Sequence, residues 1–239
     1  MTLQRGVAVT SCNEPAKGKG AETPPASSDL LPGEREKRFE MARTRAVDFE
    51  EKRRGILQTA TQVFAEQGME KASMSQIAAH GQISKALLYH YYPSKDALIF
   101  AIIFTHLQEL DAAIEAAEDS FLPPQKRLHR LIGAVLENYR GADDRHKVQL
   151  NAATALPEAQ RDEIKALERR IVQRFTAVLR EINPDLDKPD RPLLTPVTMS
   201  LFGMLNWAYM WFKDNRYLTR EDYADMVTNL LLGGIGAVR

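Results

Sequence analysis

The residues best equipped for chemistry lie between His80 and Lys95, where the chain reads HGQISKALLYHYYPSK. Three tyrosines, two lysines, two histidines and two serines surround a pair of leucines. Hydroxyl, ammonium and imidazole groups at this density suit hydrogen bonding to phosphate oxygens and base edges. Other chemistries find no comparable grouping. The five histidines (80, 90, 106, 129 and 146) are scattered, with no Glu-x-x-His and no His-x-x-x-His helix pair, so a helical di-iron or zinc site is not expected. No glycine pattern for phosphate or dinucleotide binding occurs, and pairs such as Glu115/Glu118 and Asp143/Asp144 read as solvated helix face and cap. Neither enzymatic activity nor a cofactor is expected.

The elements that must position this cluster are helical. From Phe49 the apolar residues Ile56, Ala60, Val63 and Phe64 share one face of a first helix that stops at Gly68. Ser73 or Ser75 caps a short helix MSQIAAH, a turn at Gly81-Gln82 follows, and Ser84 caps SKALLYHYY. At about 100° per residue, Leu88, Tyr91 and Tyr92 point inward with the Ser84 cap. Lys85, Ala86, Tyr89 and His90 point outward, flanked by Leu87. Pro93-Ser94 then breaks the chain ahead of a long apolar helix from Lys95 to about Glu118. Further helices are expected at roughly 124–140, 143–154, 157–182, 194–213 and 220–237, and no stretch alternates as a strand would. The fold class is all-α.

A short helix, a tight turn and a helix with that outward face form a helix-turn-helix suited to the major groove. Lys85 and Tyr89 reach phosphates, Ala86 admits close approach, Leu87 meets a thymine methyl and His90 donates to a base or phosphate. Lys95 and the helix starts near Ser73 and Ser75 add phosphate contacts on either side. Composition supplies little of this. The net charge is zero, and residues 42–96 hold eight Lys/Arg against six Asp/Glu, so phosphate contacts must come from placement rather than bulk charge. The single cysteine, Cys12, cannot pair within the chain, which fits a reducing, cytoplasmic setting. No apolar run approaches the ~18 residues of a membrane span, and no membrane association is expected. Residues 1 to about 44 read as a disordered tail, and the basic residues Lys37, Arg38, Arg43 and Arg45 near its end form either a functionless extension or an arm resting on nucleic acid.

The phrase KASMSQIAAHGQISKALLYHYYPSKDAL resembles the DNA-binding domain of tetracycline-repressor-type (TetR family) regulators. The resemblance covers residues 47–100 and rests on QIA and SK-x-x-LYHY-x-x-SK. It implies a three-helix helix-turn-helix domain at 45–94 and a larger helical ligand-binding and dimerisation domain at 95–239. It assigns recognition roles to Lys85, Ala86, Leu87, Tyr89 and His90, with Lys95 as phosphate anchor. One position departs: the family usually has glycine where this chain has Gln82, so either Gln82 is strained or the turn is re-registered around Gly81.

The resemblance also implies a homodimer through the last two helices, a double-stranded DNA operator and a small-molecule effector. Residues 196–213 are apolar nearly all round, as a helix buried on two sides requires, and the last helix carries Tyr223, Met226, Leu230 and glycines at 233, 234 and 236. Phe100, Phe104, Met204, Trp207 and Trp211 are candidate cavity-lining residues, with His106 and Asn206 as polar groups. Such stripes are equally the mark of plain core. The C-terminal phrase LFGMLNWAYMWF is similar to members that sense acyl-coenzyme A thioesters, for which Lys126, Arg127 and Arg130 offer charges to the phosphates. The alternative is a helical small-molecule carrier or interaction protein without DNA binding, against which the Tyr89/His90 face argues.

Overall fold

The computed structural model describes residues 32–152 and 156–235. Cys12, the first 31 residues of the expected tail and Gly236 lie outside them. The helices are α1 (Pro32–Gln67), α2 (Met74–His80), α3 (Lys85–Tyr91), α4 (Lys95–Ala117), α5 (Pro124–Asn138), α6 (Asp143–Ala152), α7 (Glu158–Ile182), α8 (Leu194–Trp211) and α9 (Arg220–Ile235). A 3-10 turn at Pro184–Leu186 leads into two short antiparallel strands, β1 (Asp187–Lys188) and β2 (Arg191–Pro192), with Asp187 opposite Pro192. The chain is otherwise all-α.

The chain divides between Phe49 and Glu50 into two compact units. In the first, the helix already runs from Pro32. Residues 32–44, expected as disordered, are helical, and Lys37, Arg43 and Arg45 are exposed on it. Mixed charge without apolar periodicity hid this: Arg, Lys, Glu and Ala are good helix formers even where they bury nothing.

In the second unit, Ile56, Ala60, Val63 and Phe64 are buried on α1, as their spacing predicts, and Gly68 (φ +80°) ends the helix with its N–H on the Phe64 carbonyl at 3.0 Å. The helix-turn-helix core is completed by Met74, Ile77 and Ala78 of α2, Leu88 of α3 and Tyr92. The remainder is a bundle built around α4, which packs on α5, α6 and α7. By length and apolar content α4 could cross a membrane, yet half of its most apolar window is buried inside the protein. Leu98, Ile102, Leu107 and Leu110 are consumed in the core.

Asp111 on α4, nearly buried, accepts from Arg170 (3.0 Å) and Arg174 (3.3 Å) of α7, and Arg174 also reaches Glu115 (3.1 Å) and Glu118 (2.9 Å). Glu115 and Glu118 are exposed, as the solvated-face reading expects, and pair there with Arg174. Arg127 and Arg130, offered to an effector's phosphates, are engaged instead with Glu181 (2.7 Å) and Asp119 (3.1 Å).

Candidate nucleic-acid interface and effector cluster

Helix α3 is placed by two caps and one leucine. Ser73 begins α2 with a full capping box: its hydroxyl accepts from Gln76 N–H at 3.3 Å, while Gln76 Oε1 accepts from Ser73 N–H at 2.8 Å. Of the two serines expected as caps, Ser73 takes that role and Ser75 lies exposed in the first turn. Ser84 begins α3, accepting from Leu87 N–H at 3.1 Å. Leu88 is 0% exposed and is the one buried residue within α3. Tyr92 is buried just beyond, its hydroxyl accepting from Arg53 Nε at 3.3 Å on α1. Burial pushes the Tyr92 phenol up, and the Arg53 guanidinium opposes that shift.

The outward face follows from this anchoring. Lys85, Ala86, Tyr89 and His90 are exposed, Tyr89 at 49%, and Leu87 is half-buried. Tyr91 is half-buried, with the His90 ring edge-on to it at 5.5 Å. The helical phase read from the sequence is the phase observed.

The turn settles the question raised by Gln82. Gln82 itself is left-handed, at φ +52°, and Gly81 is not, at φ −80°. Ile83 N–H bonds Ala78 O at 3.0 Å and Gln82 N–H bonds Ala79 O at 3.2 Å, the Schellman pattern with Gln82 where glycine is favoured. Gly81 serves a different need: a Cβ there would meet Thr59 Cγ2 of α1 at 3.2 Å. The close helix approach favours the glycine, since a Cβ would push Thr59 aside by a few tenths of an ångström, and the left-handed conformation falls on the next residue. Gln82→Gly is therefore expected to stabilise the protein by about 0.5 kcal/mol, the ~1 kcal/mol left-handed penalty less the extra freedom of an unfolded glycine. The urea midpoint reads this; a midpoint that falls would show that the Gln82 side chain contributes more than its backbone costs.

Lys95 is placed differently from expectation. Its ammonium donates to the carbonyls of Met69 (2.8 Å) and Ala72 (3.4 Å), holding the α1–α2 connection to the start of α4. An ammonium has three protons, so two are committed to the fold and one is left for a phosphate. Carbonyls 26 and 23 positions away could not be paired with it from sequence.

The residues expected to line a cavity do not converge. Trp207 and Trp211 are 60% and 49% exposed, joined on the outside of α8 and α9 by Met199, Met210, Met226 and Leu230. Helix α8 has two apolar faces, and the chain itself buries the one that carries Leu201, Phe202, Leu205 and Ala208. Phe100 and Phe104 stack on each other at 5.2 Å against the core. Met204 is half-buried and offers its carbonyl to the Tyr223 hydroxyl at 3.1 Å. A cleft of about 340 Å3 does open between α1, α4 and α6, lined by Arg54, Thr61, Thr105, Glu109 and Arg145, none of them among the expected residues.

His106 and Asn206, the polar pair expected, are brought together with three residues that sequence reasoning missed. Tyr139 donates to Asn206 Oδ1 at 2.9 Å, and His146 Nε2 lies 3.2 Å from the Asn206 carbonyl. The His146 ring sits 4.4 Å from Tyr139, 5.2 Å from Tyr209 and 6.0 Å from His106. His106 is wholly buried, and burial, helped by the Arg145 charge and His146, lowers its pKa to about 3. Burial lowers His146 too, against the opposing pull of the Asn206 carbonyl and Asp143, and raises the Tyr139 phenol. His146 and Tyr139 flank Gly141 with no local pattern to mark them, so only the packing of four helices reveals the group.

Comparison with known proteins agrees with this geometry. Residues 56–102 match the model for bacterial regulatory proteins of the tetR family, and residues 122–235 match that for the tetracyclin repressor-like C-terminal domain. The HTH-type transcriptional regulator YhgD of Bacillus subtilis is 26% identical over 184 residues, 76% of this chain and 95% of its own. A TetR-family regulator from Bordetella parapertussis is 32% identical with a TM-score of 0.68, covering 75% of this chain and 93% of that one. AibR, solved in complex with isovaleryl coenzyme A and operator DNA, is 26% identical with a TM-score of 0.65, covering 75% and 97%. With its helix-turn-helix and C-terminal bundle both matched, the chain belongs to the TetR family of DNA-binding transcriptional regulators.

Proposed function

We propose that this regulator is a homodimeric repressor that seats α3 in the major groove of its operator and is released by a small molecule, an aromatic or fatty acyl-CoA thioester being the leading class. The division of α3 carries the reading: Leu88 holds it down while Lys85, Ala86, Tyr89 and His90 face away from the protein. Lys85 and Tyr89 serve phosphates, Ala86, Leu87 and His90 the base edges, and Ser73, Ser75, Ser84 and the remaining Lys95 proton flank them.

The exposed apolar face of α8 and α9, with Trp207, Trp211, Met226 and Leu230, is of the kind that a second copy covers. Two copies related by a two-fold axis suit two half-sites about one helical turn apart. The structure of AibR with isovaleryl coenzyme A and operator DNA supports the ligand class. Release follows if the effector binds more tightly to a state in which α4, continuous with Lys95, sets the recognition helices at the wrong spacing. Operator binding places the protein with the chromosome, in the cytoplasm.

Fluorescence anisotropy on DNA adjoining the protein's own gene tests this. Lys85→Ala is expected to weaken binding roughly tenfold and to reduce the slope of log K against log salt by about two, one phosphate contact for each protomer. An unchanged slope would remove Lys85 from the interface.

A further inference from the structure

His106, His146 and Tyr139 are buried where α4, α6, the end of α5 and α8 meet. Tyr139 has its acceptor in Asn206, and His146 Nε2 donates to the Asn206 carbonyl, which leaves Nδ1 of His146 as an acceptor. Among the described residues that Nδ1 has no partner, and neither ring nitrogen of His106 has one. The two rings are 6.0 Å apart and edge-on, so they do not satisfy each other. A neutral His106 therefore presents one unmet donor and one unmet acceptor, beside the unmet acceptor of His146. Leaving such groups unpaired in the interior costs about 1–3 kcal/mol each, and an apolar side chain would avoid it.

Resting on the ligand-responsive reading above, we propose that the effector reaches His106 and His146 Nδ1 with an uncharged group that both accepts and donates, of the amide type, and that His106 is retained for this contact at the expense of stability. Charge decides against a carboxylate. Among the described residues, the charged groups that shift these side chains are Arg145 at His106, Asp143 at His146 and Glu168 at Tyr139. Arg145, the only cation of the three, is already paired with Glu109. A buried carboxylate would find no uncommitted cation there. An amide meets the pattern: its carbonyl accepts from His106 N–H and its N–H donates to His146 Nδ1. The amide-bearing arm of a coenzyme A thioester offers such groups, and a free acid does not. Because His106 lies on α4, whose first residue holds the α1–α2 connection, the contact acts on the element that carries the helix-turn-helix.

The test compares wild type with His106→Leu by thermal unfolding and by calorimetric titration of isovaleryl-CoA, phenylacetyl-CoA and the two free acids. His106→Leu is expected to melt about 3–6 °C higher, and to bind the thioester about tenfold or more weakly. A lower melting temperature would mean that His106 is already satisfied in the fold, and would overturn the inference. So would equal thioester affinity in the two proteins, free acids binding as tightly as thioesters, or no thioester binding by wild type. Operator binding measured in parallel by anisotropy reports on the regulatory reading separately, since its loss leaves the titrations readable.

Discussion

Leu88→Ala is expected to remove about 3 kcal/mol of stability and lower the melting temperature by about 6–12 °C, with loss of operator binding. The size follows from placement. Leu88 is 0% exposed and α3 has only seven residues, too few to hold a helix by backbone bonds alone. Nothing else within α3 is buried, and the cavity left by the three removed carbons of the leucine side chain is countered only by Tyr92 one turn on. Tyr89→Ala, one residue on, is expected to do the reverse: leave the melting temperature within about 1 °C, as surface substitutions do, and weaken operator and non-specific DNA alike. Thermal unfolding and anisotropy on the same two variants decide it. If Tyr89→Ala were the more destabilising, the helical phase of α3 would be inverted, and with it the face proposed to meet DNA.

Acid should destabilise the protein well before its carboxylates titrate. His106 has a pKa of about 3 in the fold against 6.5 when exposed, so between those values the unfolded chain binds the extra proton and stability falls as pH falls. From pH 7 to pH 5 this amounts to about 2 kcal/mol for His106 alone. His146 adds to it in the same direction. The cause is burial first, with the Arg145 charge and the second imidazole making a cation at His106 still less favourable. Urea unfolding at pH 7, 6 and 5 reads the slope, and His106→Leu should flatten it by about one proton. Identical slopes in the two proteins would show that His106 is protonated as readily in the fold as outside it.

How much of this was legible in the sequence differs from element to element, for reasons that can be named. The helix-turn-helix was readable because local rules dominate in short helices: Ser84 caps, Leu88 and Tyr92 recur four apart, and the face opposite them is fixed by the 100° step. Gln82 was readable as a problem but not as an answer. Only the 3.2 Å approach of Thr59 to a Cβ at residue 81 shows why glycine is used there and strain accepted next to it.

The helix from Pro32 left no mark in the apolar pattern, because residues 32–44 are rich in charge and show little apolar periodicity. Trp207 and Trp211 were misplaced for the opposite reason. An all-round apolar helix announces two buried faces without saying which one its own chain covers.

The sequence by itself determined the all-helical class, the family, the helix-turn-helix and the outward residues of α3, because capping, turn chemistry and helical phase act within a few positions. Only the tertiary structure decided that Lys95 holds carbonyls of the α1–α2 connection, that α8 turns its tryptophans outward, and that His106, Tyr139, His146 and Asn206 meet. The hydrogen bonds of Lys95 and of Asn206 join residues 23 to 67 positions apart. Contacts at that separation are selected by the packing of whole helices, and no local pattern in the chain encodes them.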